Sequence, residues 1–277
     1  MKQIPNAFTL LNLFFGCLAI VFAMQNELTP ILNENGSAQL NDYGRQIVEL
    51  PEKITWASIF ICIAAVVDFL DGFVARLFKA TSEMGKQLDS LADVVSFGVA
   101  PSIIVYHFLR VSYASQENGL EVQMVWLMPA FLIACAGAYR LARFNIDTQK
   151  RSGFMGVPIP AAGLLIASFP LIYWSHNTAP WIIDLLRNPW FWYALIILIS
   201  YLMVSKLSMI SLKMKDLSFK NNTLRYVLVA AALVCLVALK WLAVPVIFII
   251  YVILSRFSKE EQVVTQTTPR ETPDITV

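Results

Sequence analysis

Charged residues are scarce in this sequence. Only 14% of its 277 residues are Asp, Glu, Lys or Arg, whereas 57% are hydrophobic, and this balance excludes an ordinary water-soluble domain. Histidine and cysteine are also rare, with two and four copies, and neither type has the spacing of metal ligands. The sequence therefore predicts no zinc centre and no disulfide framework. Its composition is typical of a protein that crosses a lipid bilayer several times.

Long apolar runs predict the fold. An α-helix needs about 20 apolar residues to cross the hydrocarbon core of a bilayer. Runs of roughly that length lie at 7–24, 54–76, 91–112, 125–144, 157–174, 190–209, 224–239 and 241–257. We therefore predict an all-α fold, a polytopic transmembrane helix bundle of about eight spans that forms one domain over residues 1–257. The alternative for the last two runs is that they form one long tilted helix over 224–257. The Thr-, Glu- and Pro-containing tail 258–277 is predicted to be disordered.

The distribution of positive charge predicts the orientation. Lys and Arg are retained in short loops on the cytoplasmic side of a membrane. If both termini lie inside, the opposite side carries only Arg45, Lys53, Arg187 and Lys240, with Arg110 near a helix end. We therefore expect both termini and the tail to be cytoplasmic.

Two pairs of aspartates interrupt the apolar runs. Asp68 and Asp71 belong to one predicted helix, and Asp89 and Asp93 belong to the next. Ionisable side chains at membrane depth are costly and usually mark a functional site. Each helical residue advances by about 100°, so each pair lies along one face of its helix. Carboxylates that face each other repel, whereas a divalent cation turns them into ligands, and all-oxygen ligation suits magnesium or manganese. We predict a site for two such ions about 4 Å apart.

Small residues accompany the acids. Gly72, Ala75 and Gly85 remove side-chain bulk from the acidic faces, which would let a ligand or a neighbouring helix approach the backbone. Arg76 follows on the same helix, and a guanidinium there can bind a phosphate with two hydrogen bonds. The alternatives are that the small residues only pack helices and that Arg76 is an interfacial anchor.

These residues carry a resemblance to a known family. The signature of the CDP-alcohol phosphatidyltransferases is matched at every fixed position by Asp68, Asp71, Gly72, Ala75, Arg76, Gly85, Asp89 and Asp93. Four further segments resemble the bacterial and archaeal CDP-diacylglycerol–serine O-phosphatidyltransferases, namely residues 5–12, 88–101, 140–145 and 156–160. The likeness covers most of residues 5–165 and is faint afterwards.

The resemblance implies a reaction and a set of roles. It implies transfer of the phosphatidyl group of CDP-diacylglycerol to the hydroxyl of L-serine, giving phosphatidylserine and CMP, at the cytoplasmic face of a bacterial inner membrane. By the same resemblance, Asp68, Asp71 and Asp89 are metal ligands, and Asp93 is the base that also touches metal. The expected CDP-lipid pocket is lined by Gly72, Ala75, Arg76 and Gly85. Family members are commonly homodimers; membrane lipids are the other expected partners, and no nucleic acid is expected.

Other polar residues are weaker candidates. Arg140 and Arg143, near the cytoplasmic end of the fourth predicted span, are expected to contact the serine carboxylate or a lipid phosphate; their alternative is interfacial anchoring. Asn12 and Ser96 are further candidates for binding serine or phosphate. Ser96 has an alternative in which its hydroxyl bonds back to its own helix, and Thr9 has one as a cap of the first helix.

Two rival functions differ in class. Another acceptor, such as glycerol 3-phosphate or inositol phosphate, would use the same acidic signature, although segments 88–101 and 140–145 favour serine. An ion transporter would also place acids in the membrane. That reading predicts polar residues through the depth of several helices, whereas here the acids cluster with arginines at one membrane face.

Overall fold

The structure is a computed structural model of the 277-residue chain. It describes residues 3–25, 29–30, 33, 35–37, 39–40, 48–77, 82–114, 122–146, 154–175, 178–209 and 219–257. The predicted tail 258–277 lies outside these ranges.

The described chain is dominated by α-helices. In chain order they are α1 (Gln3–Met24), α2 (Ile54–Leu77), α3 (Glu83–Asp93), α4 (Ala100–Ala114), α5 (Leu132–Ile146), α6 (Ile159–Tyr173), α7 (Pro180–Leu186), α8 (Pro189–Val204), α9 (Phe219–Leu239) and α10 (Ala243–Phe257). Two short antiparallel pairs join β1 (Thr29–Pro30) to β2 (Val48–Glu49) and β3 (Phe154–Met155) to β4 (Ser208–Met209). Short 3-10 turns precede α5 at Met124–Trp126 and Met128–Phe131 and separate α9 from α10 at Lys240–Leu242.

Local sequence signals explain several helix ends. Ser82 is the N-cap of α3, because its Oγ accepts a hydrogen bond from the backbone N–H of Gly85 at 3.0 Å. Pro180 and Pro189 occupy the first positions of α7 and α8, where the N–H that proline lacks would be unpaired in any case. Lys240 has a positive φ of 50°, which breaks regular helix geometry between α9 and α10.

The length and apolar composition of the helices are those of a membrane protein. Among the described residues, five helical stretches are long and apolar enough to cross a bilayer: Pro5–Met24, Ile54–Val74, Glu83–Ala114, Met124–Ile146 and Tyr226–Arg256. The pair α7 and α8, bent by 70° at its break, would make a sixth. The all-α, polytopic part of the prediction is thus confirmed, whereas the count from helix length and composition is five or six instead of about eight. The difference arises because α6 has only 15 residues and because 226–256 is counted once.

The acid-bearing helix α3 continues into α4 through a wider turn. Residues Val94–Val99 form a π-helical turn directly after Asp93. A π-helical turn inserts extra backbone into an α-helix, and such turns are frequent at functional sites. The apolar run predicted at 91–112 is therefore only the inner part of a longer helical stretch that begins at Glu83.

α1 packs against both acidic helices. α1 packs along α2 and also contacts α3, the π-helical turn and α4, while α6 packs against α2 and the π-helical turn. The hydrophobic core includes the fully buried side chains of Phe97, Phe108, Ile166 and Trp192. The ring centroids of Phe108 and Trp192 lie 4.5 Å apart. The acids of α2 and α3 therefore sit on a well-packed scaffold.

A polar contact joins β2, which precedes α2, to the corner between α7 and α8. Arg187 Nη2 lies 3.7 Å from Glu49 Oε1 in β2 and donates a hydrogen bond to Tyr173 Oη at 2.8 Å. This contact lies at the opposite end of α2 from its aspartates.

Candidate functional site

Three aspartates meet where α2 and α3 face each other. Asp68, Asp71 and Asp89 each place one carboxylate oxygen within 4.8 Å of the other two. Asp71 is buried and the other two are partly buried. An ion within reach of all three oxygens would therefore link the two acidic helices.

The donor set fits a divalent cation. Asp89 Oδ1 is buried and has no hydrogen-bond partner in the described part of the chain. Leaving a carboxylate oxygen buried and unpaired is costly, and like charges in close proximity add to the cost. A hard cation that prefers oxygen ligands would pair the buried oxygen and would offset the repulsion between the carboxylates. The number of ions and the choice between magnesium and manganese stay predictions.

Asp93 is set apart from this group. It lies one helical turn after Asp89, is only 7% exposed, and accepts a hydrogen bond on Oδ1 from Asn12 Nδ2 at 3.3 Å. Its carboxyl is close enough to Asp68 and Asp89 to interact with them electrostatically. The structure thus brings all four predicted acids into one region and gives the fourth a side-chain amide partner, Asn12. Its role as base stays a prediction.

α1 supplies a partner to one acid of each pair. Thr9 lies inside α1 instead of at its start, and its Oγ1 donates a hydrogen bond to Asp71 Oδ2 at 2.8 Å. Asn12 is fully buried and serves Asp93 in the same way. The apolar pattern of α1 gave no signal for these pairings, because they depend on how α1 crosses α2 and α3.

Ser96 is also turned toward α1. It is fully buried in the π-helical turn, and its Oγ donates a hydrogen bond to the backbone carbonyl of Asn12 at 3.1 Å. The alternative of a bond within its own helix does not describe it. In this structure Ser96 therefore joins two helices.

The predicted small residues differ from each other. A Cβ placed on Gly72 would meet no atom of the described residues within 4 Å, so among these residues Gly72 leaves open space beside the acidic face of α2. A Cβ on Gly85 would lie 3.0 Å from Asn6 Oδ1 and 3.1 Å from Ser82 Oγ, so Gly85 allows α3 to pack closely against α1. The backbone of Ala75 and Arg76 belongs to α2, but their side chains lie outside the described residues.

The two arginines of α5 have different surroundings. Arg140 is only 9% exposed, and its buried Nε has no partner among the described residues. Its guanidinium is close enough to Asp93, and to Tyr251 of α10, to interact electrostatically with both. Arg143 instead donates hydrogen bonds to Val204 O at 3.2 Å and to Met155 Sδ at 3.7 Å. Of these two arginines, Arg140 is therefore the one that lies near Asp93 and has a buried nitrogen unpaired among the described residues.

A polar clamp joins α3 to the end of α5. Asn145 Nδ2 donates a hydrogen bond to Ser90 Oγ at 2.8 Å, and Lys86 Nζ donates one to Asn145 O at 3.3 Å. Because Ser90 is next to Asp89, the clamp holds α3 against the helix that carries Arg140. The sequence gave no signal for the contacts of Asn145 with Ser90 and Lys86. It also gave no signal that Tyr251 would lie near Arg140.

Comparison with known proteins adds independent information. The family profile for CDP-alcohol phosphatidyltransferase matches residues 2–199. A CDP-diacylglycerol–serine O-phosphatidyltransferase of Helicobacter pylori is 35% identical over 164 residues, which is 58% of this chain and 54% of the relative. The enzymes of the same name from Bacillus subtilis and Methanocaldococcus jannaschii are 36% identical over 117 residues and 42% identical over 109 residues. These two matches cover 42% and 39% of this chain, and 61% and 47% of the relatives. The chain thus spans about half the length of the curated relatives it matches.

Proposed function

Since the chain belongs to the CDP-alcohol phosphatidyltransferase family, we propose that it transfers the phosphatidyl group of CDP-diacylglycerol to the hydroxyl of L-serine, giving phosphatidylserine and CMP. The observation that carries this proposal is the meeting of Asp68, Asp71 and Asp89 within 4.8 Å, with Asp93 one turn away. The names of the matched relatives support serine as the acceptor.

The reaction moves one proton and exchanges one bond at phosphorus. The serine oxygen forms a bond to the phosphorus that bears the diacylglycerol, and the bond from that phosphorus to the CMP oxygen breaks. Asp93 takes the proton of the serine hydroxyl, and Asn12 holds Asp93 in place through its hydrogen bond. Binding both substrates side by side converts the encounter into a reaction within one complex.

Asp68, Asp71 and Asp89 would hold the divalent cations, with Asp93 as a further ligand. Two ions, magnesium or manganese, would neutralise the pyrophosphate of the donor and stabilise the departing CMP. The unpaired, buried Asp89 Oδ1 supports this assignment, because a cation is the partner that a buried carboxylate oxygen needs.

The donor would lie along the acidic face of α2. The open space beside Gly72 supports a close approach of the cytidine diphosphate to the backbone. Arg76 would bind a phosphate, and Ala75 and Gly85 would complete the pocket, with Gly85 acting through its packing against α1. Arg140 would receive the carboxylate of serine, since its Nε has no partner among the described residues and it lies near Asp93.

The proposal includes the arrangement in the membrane. We infer eight crossings, formed by α1, α2, α3 with α4, α5, α6, α7 with α8, α9 and α10, because α9 and α10 are separated at Lys240. Both termini would then lie in the cytoplasm of a bacterial cell and the active site at the inner face of its cytoplasmic membrane, in keeping with the bias of Lys and Arg. Residues 1–257 would form the membrane domain and 258–277 a disordered tail.

Membrane lipids and a second copy complete the proposed partners. The apolar side chains of α9 are largely exposed, among them Leu233, Val234 and Val237. Such a surface is suited to lipid chains or to the helices of a second copy. A homodimer would be detected as twice the chain mass by light scattering of the detergent complex.

An acceptor panel tests the function. Purified protein in vesicles that contain CDP-diacylglycerol receives L-serine, glycerol 3-phosphate or inositol phosphate, and the lipid product is identified by its mass. The proposal expects phosphatidylserine, and CMP that is released only with serine. Product from another acceptor in place of serine would overturn the assignment of the acceptor. Metal movement across the vesicle without CMP release would instead indicate a transporter.

A further inference from the structure

A single face of α1 contacts both acid pairs. Thr9, Asn12 and Gly16 lie at intervals of three and four residues, which places them along one side of the helix. From this side Thr9 reaches Asp71, Asn12 reaches Asp93, and Gly16 meets Ser96 in the π-helical turn. We propose that this face, which we call the α1 stripe, is a positioning element that sets the orientation of Asp93 relative to the three-aspartate cluster. The inference rests on the proposed function for the role of Asp93.

The surroundings of Asn12 suit a role in orienting Asp93. Its side chain is fully buried, its Nδ2 donates to Asp93 Oδ1, and its Oδ1 is buried with no partner in the described chain. The Asn12 amide is therefore engaged with Asp93 through its Nδ2. It can hold one oxygen of Asp93 and leave the other oxygen to face the substrate hydroxyl.

The contact at Gly16 fixes how closely α1 approaches Asp93. A Cβ on Gly16 would clash with Ser96 Oγ and would lie 2.9 Å from Ser96 Cα, so α1 or the turn would have to shift to admit a side chain there. Ser96 follows Asp93 by three residues, and its Oγ donates to the backbone carbonyl of Asn12 at 3.1 Å. The absent side chain at Gly16 therefore allows the hydrogen bond that locks Asn12 beside Asp93.

The π-helical turn is held from its other side as well. A Cβ on Gly163 of α6 would lie 2.9 Å from Phe97 Cβ and 3.0 Å from Phe97 Cα. Phe97 is fully buried beside Ser96. The turn that follows Asp93 is thus packed closely against both α1 and α6.

The first test separates turnover from binding. In Asn12→Ala, we expect kcat to fall by about 10-fold or more, because a hydrogen bond to a charged group is lost, while the serine KM and Mn²⁺ binding measured by electron paramagnetic resonance change little. Ser112→Ala is the matched control, since Ser112 is buried and its hydroxyl donates to Phe108 O within α4. A loss of activity in Asn12→Ala that only follows a loss of folded protein, or a change confined to KM, would overturn the proposal.

The second test separates the close approach of the two helices from the hydrogen bond across it. Gly16→Ala should lower kcat, because the new methyl group would lie 2.9 Å from Ser96 Cα, a backbone atom, and would push α1 away from the turn. Ser96→Ala removes only the hydroxyl that donates to Asn12 O and should lower kcat less, because the close approach at Gly16 is kept. Folding is checked in each variant by size-exclusion profile and thermal midpoint. A folded Gly16→Ala protein with the kcat of the wild type would contradict a positioning role for this contact.

The third test does not depend on the acceptor or on turnover. Thr9→Val removes the hydroxyl that reaches Asp71 at nearly constant shape, and Thr9→Ser keeps it. Loss of a partner of a metal ligand typically weakens metal binding by about 10–100-fold. We expect Mn²⁺ binding to weaken in this range for Thr9→Val and to be retained in Thr9→Ser. Equal Mn²⁺ binding by both variants would contradict the proposed role of Thr9 in positioning Asp71. If the wild type binds Mn²⁺ but makes no phosphatidylserine, the proposed function fails while this test still stands.

Discussion

At the scale of single residues, the four aspartates are chemically alike but differ in their surroundings. Asp68, Asp71 and Asp89 converge, whereas Asp93 is held by the amide of Asn12. A carboxylate with a fixed hydrogen-bond donor keeps one orientation, which is what proton transfer requires. A carboxylate with an unpaired oxygen, such as Asp89, is instead suited to a metal ion. The surroundings therefore support a division of roles between the acids, with metal binding by Asp68, Asp71 and Asp89 and proton transfer by Asp93.

Substitution of Asp93 tests this division. In Asp93→Asn we expect kcat to fall by about 10²–10⁴-fold, the usual contribution of a general base, while Mn²⁺ binding by the remaining aspartates persists. Steady-state CMP release and electron paramagnetic resonance measure the two properties in one preparation. Near-normal turnover with normal metal binding would remove Asp93 from its proposed role.

The arginines of α5 offer a paired comparison. Arg140→Lys keeps the charge but loses the planar guanidinium, and we expect the serine KM to rise by about 10-fold or more, the cost of a charge-assisted hydrogen bond. Arg143→Lys should affect the serine KM less and thermal stability more, because Arg143 donates to Val204 O and Met155 Sδ. Initial rates against serine concentration and thermal midpoints check both. The reverse order of effects would show that Arg143 contacts the substrate.

At the scale of elements, the π-helical turn Val94–Val99 is the feature that joins the site to the core. It follows Asp93 directly and contacts α1, α5 and α6. The glycines around it define how near each neighbour can come. Its stability should therefore depend strongly on which glycine is replaced.

Two glycine variants test the confinement of this turn. In Gly163→Ala the new methyl group would lie 2.9 Å from Phe97 Cβ, so we expect a loss of stability of about 1–3 kcal/mol, typical of overpacking. In Gly98→Ala the nearest atom would be Ala134 Cα at 3.4 Å, so the loss should be smaller. Thermal unfolding in detergent compares the two. A thermal midpoint of Gly163→Ala equal to that of the wild type would show that α6 and the turn can separate without loss of stability.

The helical elements could be predicted from the sequence because lipid-facing and buried positions are both apolar. The start of α3 could not, because Glu83, Lys86 and Asp89 dilute the apolar run there, although Ser82 is a recognisable N-cap. The aspartate faces followed from helical periodicity. The partners of Thr9, Asn12 and Ser96 depend on how helices distant in sequence cross, which periodicity along one helix does not report.

At the scale of the whole molecule, the arrangement in the membrane decides which compartment supplies the substrates. α2 begins near the Glu49–Arg187 contact and ends beside the aspartates, so its two ends lie at opposite faces of the bundle. CMP and serine are soluble, and the proposed orientation places the aspartates at the cytoplasmic face. This orientation can be measured without an assay of activity.

Site-directed labelling tests the orientation. After replacement of Cys17, Cys62, Cys135 and Cys235, a single cysteine is introduced as Glu52→Cys before α2 or as Glu83→Cys at the start of α3, both exposed positions. We expect a membrane-impermeant maleimide added to intact spheroplasts to label the first variant and to leave the second unlabelled until the cells are opened. The opposite pattern would reverse the proposed orientation.

The central claim is that α2 and α3 together hold divalent cations that the transfer reaction requires, and metal removal tests it most directly. We expect the purified protein, supplied with CDP-diacylglycerol and serine, to release no CMP after treatment with EDTA. Release should return with excess Mg²⁺ or Mn²⁺ for the wild type but not for Asp89→Asn. Undiminished release of CMP from the metal-free wild-type protein would contradict the account.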